Sequence, residues 1–130
     1  MKATDLMLSV NSGFAGCPPI VTGPDAYCGL PAVIQARGAQ SVLLLGGKRA
    51  LGSGLPELES ALSGSGIMLR IREFSGECTI RQARAYAQEA AGEGAGLILG
   101  MGGGKALDTA KAAAHLTGLP VITLPTIPAT

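Results

Sequence analysis

The sequence predicts an α/β fold: a parallel sheet flanked by helices, in a single domain. Two observations predict it. Short apolar runs end in glycine or proline, and alanine- or leucine-rich stretches with helical spacing lie between them. Strands that are apolar along their whole length are buried on both faces, as in parallel sheets covered by helices. The length, 130 residues, fits one domain.

Four segments read as strands in chain order. Ser41–Gly46 is continuously apolar after its first residue, and Ile67–Phe74 alternates with period two from Leu69 onward. Gly96–Gly100 is short and bounded by glycines, and Pro120–Pro125 is bounded by prolines. Ile20–Thr22 is a weaker candidate. Helices fall between the strands. Leu55, Leu58, Ala61 and Leu62 have helical spacing over 55–62. Thr79 is the expected N-cap of a helix reaching about Ala91, stopped by Gly92 and Gly94. Lys105–Leu116 is alanine-rich and is closed by Gly118 and Pro120. Ala26–Ala36 is a poorer helix, broken near Gly29 and Pro31. The alternation describes a Rossmann-like sheet with right-handed crossovers. Residues 1–16 are expected to be a poorly ordered or edge N-terminus, and 17–130 the α/β domain.

Composition excludes several function classes. Net charge is +1 with no basic run, and the four aromatics are Phe14, Tyr27, Phe74 and Tyr86. That argues against nucleic acid as a partner. No stretch approaches the roughly 18 apolar residues of a membrane helix. Asp5, Ser9, Asn11 and Ser12 interrupt the apolar core an export signal needs. Cys17, Cys28 and Cys78 are widely spaced, odd in number and accompanied by one histidine, His115. They support neither a zinc site nor a disulfide framework, and a reducing cytoplasm is the expected location.

The chemistry is carried by Leu97–Asp108, where an apolar strand runs into Gly102, Gly103 and Gly104 and then Lys105 opens a helix. A helix start offers free N–H groups and the positive end of the dipole. Glycines let that backbone approach a phosphate closely. A phosphate or pyrophosphate is therefore expected at Gly102–Lys105. A Walker A loop would need glycine at Leu99 and Ser or Thr at Ala106. The G-x-G-x-x-G spacing fails too, since its third glycine falls on Lys105.

Gly102–Lys111 and Leu119–Thr130 together resemble the glycerol dehydrogenase branch of the iron-containing alcohol dehydrogenases, as does Phe74–Thr79. Gly47–Ala50 is equally similar to the hydroxycarboxylate dehydrogenases of that branch. The resemblance spans about residues 17–130 and implies the nucleotide-binding half of such an enzyme. It implies an NAD or NADP pyrophosphate on Gly103, Gly104 and Lys105, with Thr126 and Ala129 lining the cofactor. Asp108 is expected in the first helical turn, as a capping group or a cofactor contact.

The family's usual acidic residue, which binds the adenosine ribose, is replaced by Gly47, with Lys48 and Arg49 beside it. An acid repels a 2′-phosphate, so NADP is expected to be accepted or preferred. The family's metal ligands, an Asp and two His, have no counterpart here. The chain is therefore expected to stop before a helical metal-binding domain, with no catalytic and no metal-ligating residue of its own. A divalent metal, zinc or iron, is expected only with that domain. The expected function is the dinucleotide-binding portion of a metal-dependent dehydrogenase, acting on a polyol or a 2-oxo acid. The full-length enzyme is expected to be a homo-oligomer. Two alternatives stand beside it: a non-catalytic dinucleotide-binding module, and a dehydroquinate synthase-like domain.

Other polar residues have plainer expectations. Cys78 is expected as a small packed residue at a strand-to-helix corner, and Asp25 as a turn residue. His115 is expected as a helix-end charge. Arg81 and Arg84, with Glu77 and Glu89, are expected on a solvated helix face.

Overall fold

The computed structural model describes residues 7–10, 20–22, 27 and 29–125. In chain order the elements are β1 (Met7–Val10), β2 (Ile20–Thr22), α1 (Leu30–Ala36), β3 (Ser41–Gly47), α2 (Lys48–Leu62), β4 (Met68–Phe74), α3 (Ile80–Gly92), β5 (Leu97–Gly102), α4 (Gly104–Thr117) and β6 (Val121–Pro125). They form one six-stranded sheet in the order β2-β1-β6-β5-β3-β4. The four strands β6, β5, β3 and β4 are parallel, as the apolar runs predict. β1 pairs antiparallel with both β6 and β2, so within the sheet it lies between two strands.

Register follows the pleat. Val42 stands opposite Leu97, and Leu99 opposite Ile122. Alternate residues therefore feed two separate cores. Val42, Leu44, Leu97, Leu99, Met101, Ile122 and Leu124 pack with Leu30, Val33 and Ile34 of α1 and with Ala50, Leu58 and Leu62 of α2. Leu43, Leu45, Ile98 and Val121 face the other way, onto Ala87 and Ala90 of α3 and Ala110, Ala113 and Ala114 of α4. Helices cover both faces, which explains why β5 is buried at every position.

The alanine-lined face lets α4 lie close on β5. A Cβ on Gly100 would sit 2.7 Å from the Ala110 Cβ, so glycine there is the condition for α4 to lie on β5. On the opposite face a Cβ on Gly46 would meet the Leu51 side chain at 2.5 Å.

Element boundaries differ from the sequence expectation where tertiary burial outweighs local propensity. α2 begins at Lys48 rather than Leu55 and carries Gly52, Gly54 and Pro56 inside it. These residues are poor helix formers. However, Ala50, Gly54, Leu58 and Leu62 form a buried stripe at every fourth position, and that stripe holds the helix. In α1, Gly29 is the N-cap and Pro31 lies in the first turn, where its missing N–H costs nothing. Ala26, Asp25, Cys17 and Cys28 lie outside the described residues. β5 runs to Gly102, two residues past the expected Gly100, because Gly102 still pairs with Pro125.

α3 is capped as expected: the Thr79 hydroxyl accepts the Gln82 N–H at 3.1 Å. α4 ends on Gly118, whose φ of 74° is the left-handed cap that favours glycine. His115 is exposed in the last turn of α4, where a cation suits the dipole.

The acidic side chains around α3 are assigned differently from the sequence expectation. Arg72 of β4 donates its Nε–H to Glu89 at 3.2 Å and its Nη2–H to Glu93, clamping β4 to α3. Glu77 turns toward α4 instead. Arg81 and Arg84 are exposed. Among the described residues no helix is long and apolar enough to cross a membrane.

Two glycine substitutions should separate packing from propensity. Gly100→Ala inserts a methyl group against Ala110 and should cost about 1–3 kcal/mol of stability. Gly92→Ala, in exposed helix with open space around it, should stabilise by about 0.4–1 kcal/mol. Urea denaturation of the two variants checks both signs.

Candidate dinucleotide site

The site follows from topology. β3 connects through α2 to β4 on one side of the sheet, and β5 connects through α4 to β6 on the other. The order reverses between β3 and β5, which are hydrogen-bonded neighbours. α2 and α4 leave on opposite faces, so the carboxyl ends of β3 and β5 open a crevice between two helix N-termini. Open α/β sheets bind their ligands at such a switch point.

The three glycines at the head of α4 are not equivalent. Gly102 has a φ of 137°, and a Cβ there would lie 3.4 Å from both the Ala106 Cβ and the Gly47 nitrogen. The turn itself requires glycine at this position. Gly103 and Gly104 have no such requirement. Neither has a positive φ, and a Cβ on either would meet nothing within 4 Å. The same holds for Gly47, the N-cap of α2. Internal packing therefore does not explain three of the four glycines around the crevice.

The backbone at this point is set up to receive an anion. Gly103 is the N-cap of α4 and has no side chain to cap the turn. The Leu107 N–H, bonded to the Gly103 carbonyl at 3.1 Å, makes the helix's first bond, and no acidic residue lies in the first turn. The earlier N–H groups, of Gly104, Lys105 and Ala106, have no intrahelical acceptor. They lie at the positive end of the helix dipole, beside the exposed pair Gly103 and Gly104.

Charged side chains surround this loop. Lys105 is exposed, and its ammonium donates to a Glu77 carboxylate oxygen at 2.9 Å. Glu77 comes from the loop between β4 and α3. The sequence expectation had placed it on a solvated helix face. Lys48 and Arg49 are exposed in the first turn of α2, which carries no acidic residue. Two cations there oppose the helix dipole, and a bound anion would relieve the conflict.

Asp108 differs from expectation: it is the fifth residue of α4, past the first turn, and is exposed. At that depth it does not cap the helix. Cys78 is also exposed rather than packed at the corner. Thr126 and Ala129 lie outside the described residues. Gly47, Lys48, Gly102, Gly103, Gly104 and Lys105 come together at one end of the sheet. Among the described residues, no three His, Cys, Asp or Glu side chains come together to hold a metal ion.

This fold and its glycine loop define an α/β domain with a glycine-lined switch point and an uncapped helix start. The chain belongs to the iron-containing alcohol dehydrogenase family, whose model matches residues 17–130. It is 38% identical over 120 residues to a glycerol dehydrogenase of Escherichia coli O6:H1, covering 85% of this chain and 32% of that protein. It is 38% identical over 84 residues to hydroxycarboxylate dehydrogenase A of Escherichia coli K12, covering 65% of this chain and 22% of the relative. Among solved structures, the glycerol dehydrogenase of Schizosaccharomyces pombe superposes with a TM-score of 0.65 at 23% identity. That match covers 74% of this chain and 24% of the other, and at this identity it speaks for the fold alone. The chain thus spans about a third of the length of the Escherichia coli glycerol dehydrogenase it matches.

The glycines themselves provide a test. Gly102→Ala should lose about 1–3 kcal/mol, from strain at a positive φ. Gly103→Ala and Gly104→Ala should change stability by less than about 1 kcal/mol. Thermal melts of the three variants check the difference.

Proposed function

We propose that this chain is the dinucleotide-binding part of a metal-dependent NAD(P)-linked dehydrogenase acting on a polyol or a 2-oxo acid. The observation that carries the reading is the pair Gly103 and Gly104. They stand at an uncapped helix start with open space where side chains would be, and the fold itself does not need glycine at either position. Space left free of side chains beside unbonded N–H groups suits a pyrophosphate. The 38% identity to a glycerol dehydrogenase supports the reaction class.

In this reading the Gly102–Gly104 backbone and the Lys105 ammonium hold the pyrophosphate. Asp108 lies one turn further along α4, and Thr126 and Ala129 line the cofactor from beyond β6. The bound dinucleotide supplies a hydride acceptor for the alcohol carbon, or a donor for the carbonyl. The chain's own groups fix its position and neutralise its phosphates. The metal, zinc or iron, and the substrate are met by parts of the enzyme other than the described residues. The complete enzyme acts as a cytoplasmic homo-oligomer.

Gly47 with Lys48 and Arg49 supports acceptance of a 2′-phosphate. No acidic side chain in the first turn of α2 repels one, and two exposed cations lie beside it. Calorimetric titration of the full chain with NADH and NADPH tests both levels of the proposal. Lys105→Ala should weaken both ligands by about tenfold, about 1.4 kcal/mol. Lys48→Ala combined with Arg49→Ala should weaken NADPH by a similar factor and leave NADH nearly unchanged. Absence of binding by either ligand would overturn the dinucleotide reading. NADH binding tenfold tighter than NADPH would overturn only the 2′-phosphate part.

A further inference from the structure

The Lys105–Glu77 pair is the one ion pair among the described residues that reaches into the crevice. The Lys105 Nζ lies 2.9 Å from Glu77 Oε1, and the two residues are 28 positions apart in the chain. Their side chains are 62% and 69% exposed. Water screens such a pair, so its own contribution to stability is small. Nothing in the packing of β4, α3 or α4 depends on it. Its consequence is electrostatic: a carboxylate stands beside the ammonium that opens the anion-receiving turn.

An ammonium has three N–H donors, so Lys105 can hold Glu77 and a phosphate oxygen at once. The carboxylate nevertheless repels every negative charge brought to the same lysine, and the repulsion grows with the charge of the ligand. Phosphate ligands differ in that charge. In the diphosphate bridge of a dinucleotide each phosphorus is esterified and carries a single negative charge. The terminal phosphate of a nucleoside diphosphate is a monoester-like group, carrying about −1.5 to −2 near neutral pH. A loop with Lys105 alone would favour the more highly charged ligand. A loop with Lys105 already paired loses much of that bias, so the internal diphosphate gains relative to the terminal phosphate.

We propose that Glu77 is a specificity-determining residue of the glycine loop. Through its ion pair with Lys105, it makes the loop take an internal diphosphate bridge in preference to a terminal phosphate. The inference rests on the dinucleotide reading above. Glu77 discriminates against nucleoside diphosphates and triphosphates by repulsion, which is specificity by penalty rather than by added contact.

The test compares NADH, whose two phosphates are both internal, with ADP. Affinities are measured by calorimetry on the full chain at about 0.01 M ionic strength, where the Debye length is about 30 Å. Glu77→Gln should tighten ADP by about two- to fivefold, the range of an exposed charge pair, and tighten the dinucleotide by less. The ratio of the two affinities should therefore shift toward ADP. Glu77→Asp, which keeps the charge, should retain the wild-type ratio. At about 1 M salt, where the Debye length is about 3 Å, Glu77→Gln should no longer shift the ratio.

An unchanged ratio in Glu77→Gln, with wild-type dinucleotide binding intact, would overturn this inference alone. So would an equal weakening of both ligands. A wild-type chain that binds neither NADH nor NADPH would overturn the dinucleotide reading, and this inference with it.

Discussion

The close approach of α4 to β5 is the constraint on which the rest of the structure depends. Gly100 lies beneath Ala110, and a methyl group at Gly100 would come within 2.7 Å of it. With α4 seated that deep, the chain must turn sharply between Met101 and Gly104. Gly102 absorbs the turn at a φ of 137°. The turn delivers the uncapped start of α4 to the carboxyl edge of the sheet, beside Gly47. A larger residue at 100 would lift the helix and move its free N–H groups away from the crevice. Packing in the interior therefore aims the backbone at the surface.

The two faces of the sheet solve the burial problem with different residues. On the α1/α2 face, leucine, isoleucine and valine fill the space between sheet and helices. On the α3/α4 face, alanines do so, and α4 lies close on Gly100 of β5. Large side chains give area and therefore most of the hydrophobic stabilisation. Small side chains give proximity, and proximity is what a loop needs if its backbone is to meet a ligand. The glycine turn before α4 lies on the side where the packing is small.

Charge is distributed with the same economy. Arg72 is fully engaged by Glu89 and Glu93, and it ties the edge strand β4 to α3. The cations at the crevice are held more loosely. Lys105 has a single exposed carboxylate partner, and Lys48 and Arg49 open α2 with no acid in its first turn. Arg72 has a structural task, whereas the crevice cations remain accessible to a ligand.

Much of the architecture was legible in the sequence. Apolar runs ending in glycine marked the parallel strands, Thr79 marked the start of α3, and Gly102–Lys105 marked the turn that matters. These features are local: periodicity, caps and breakers act within a few residues. What escaped depended on contacts between distant segments. Helical spacing in the sequence covers only 55–62, and the buried stripe Ala50, Gly54, Leu58 and Leu62 extends the helix back to Lys48. Met7–Val10 is too short to announce itself, and it became a strand by pairing with β6. The position of Asp108 past the first turn follows from where the sheet releases the chain, at Gly102 and Gly103. The sequence alone determined that a glycine-rich helix start would follow a buried strand. The tertiary structure alone decided that Gly102 serves the turn while Gly103 and Gly104 stand free, and that Glu77 faces Lys105 across 28 residues. Both were decided there because close approach and pair electrostatics depend on distance in space, which sequence separation does not encode.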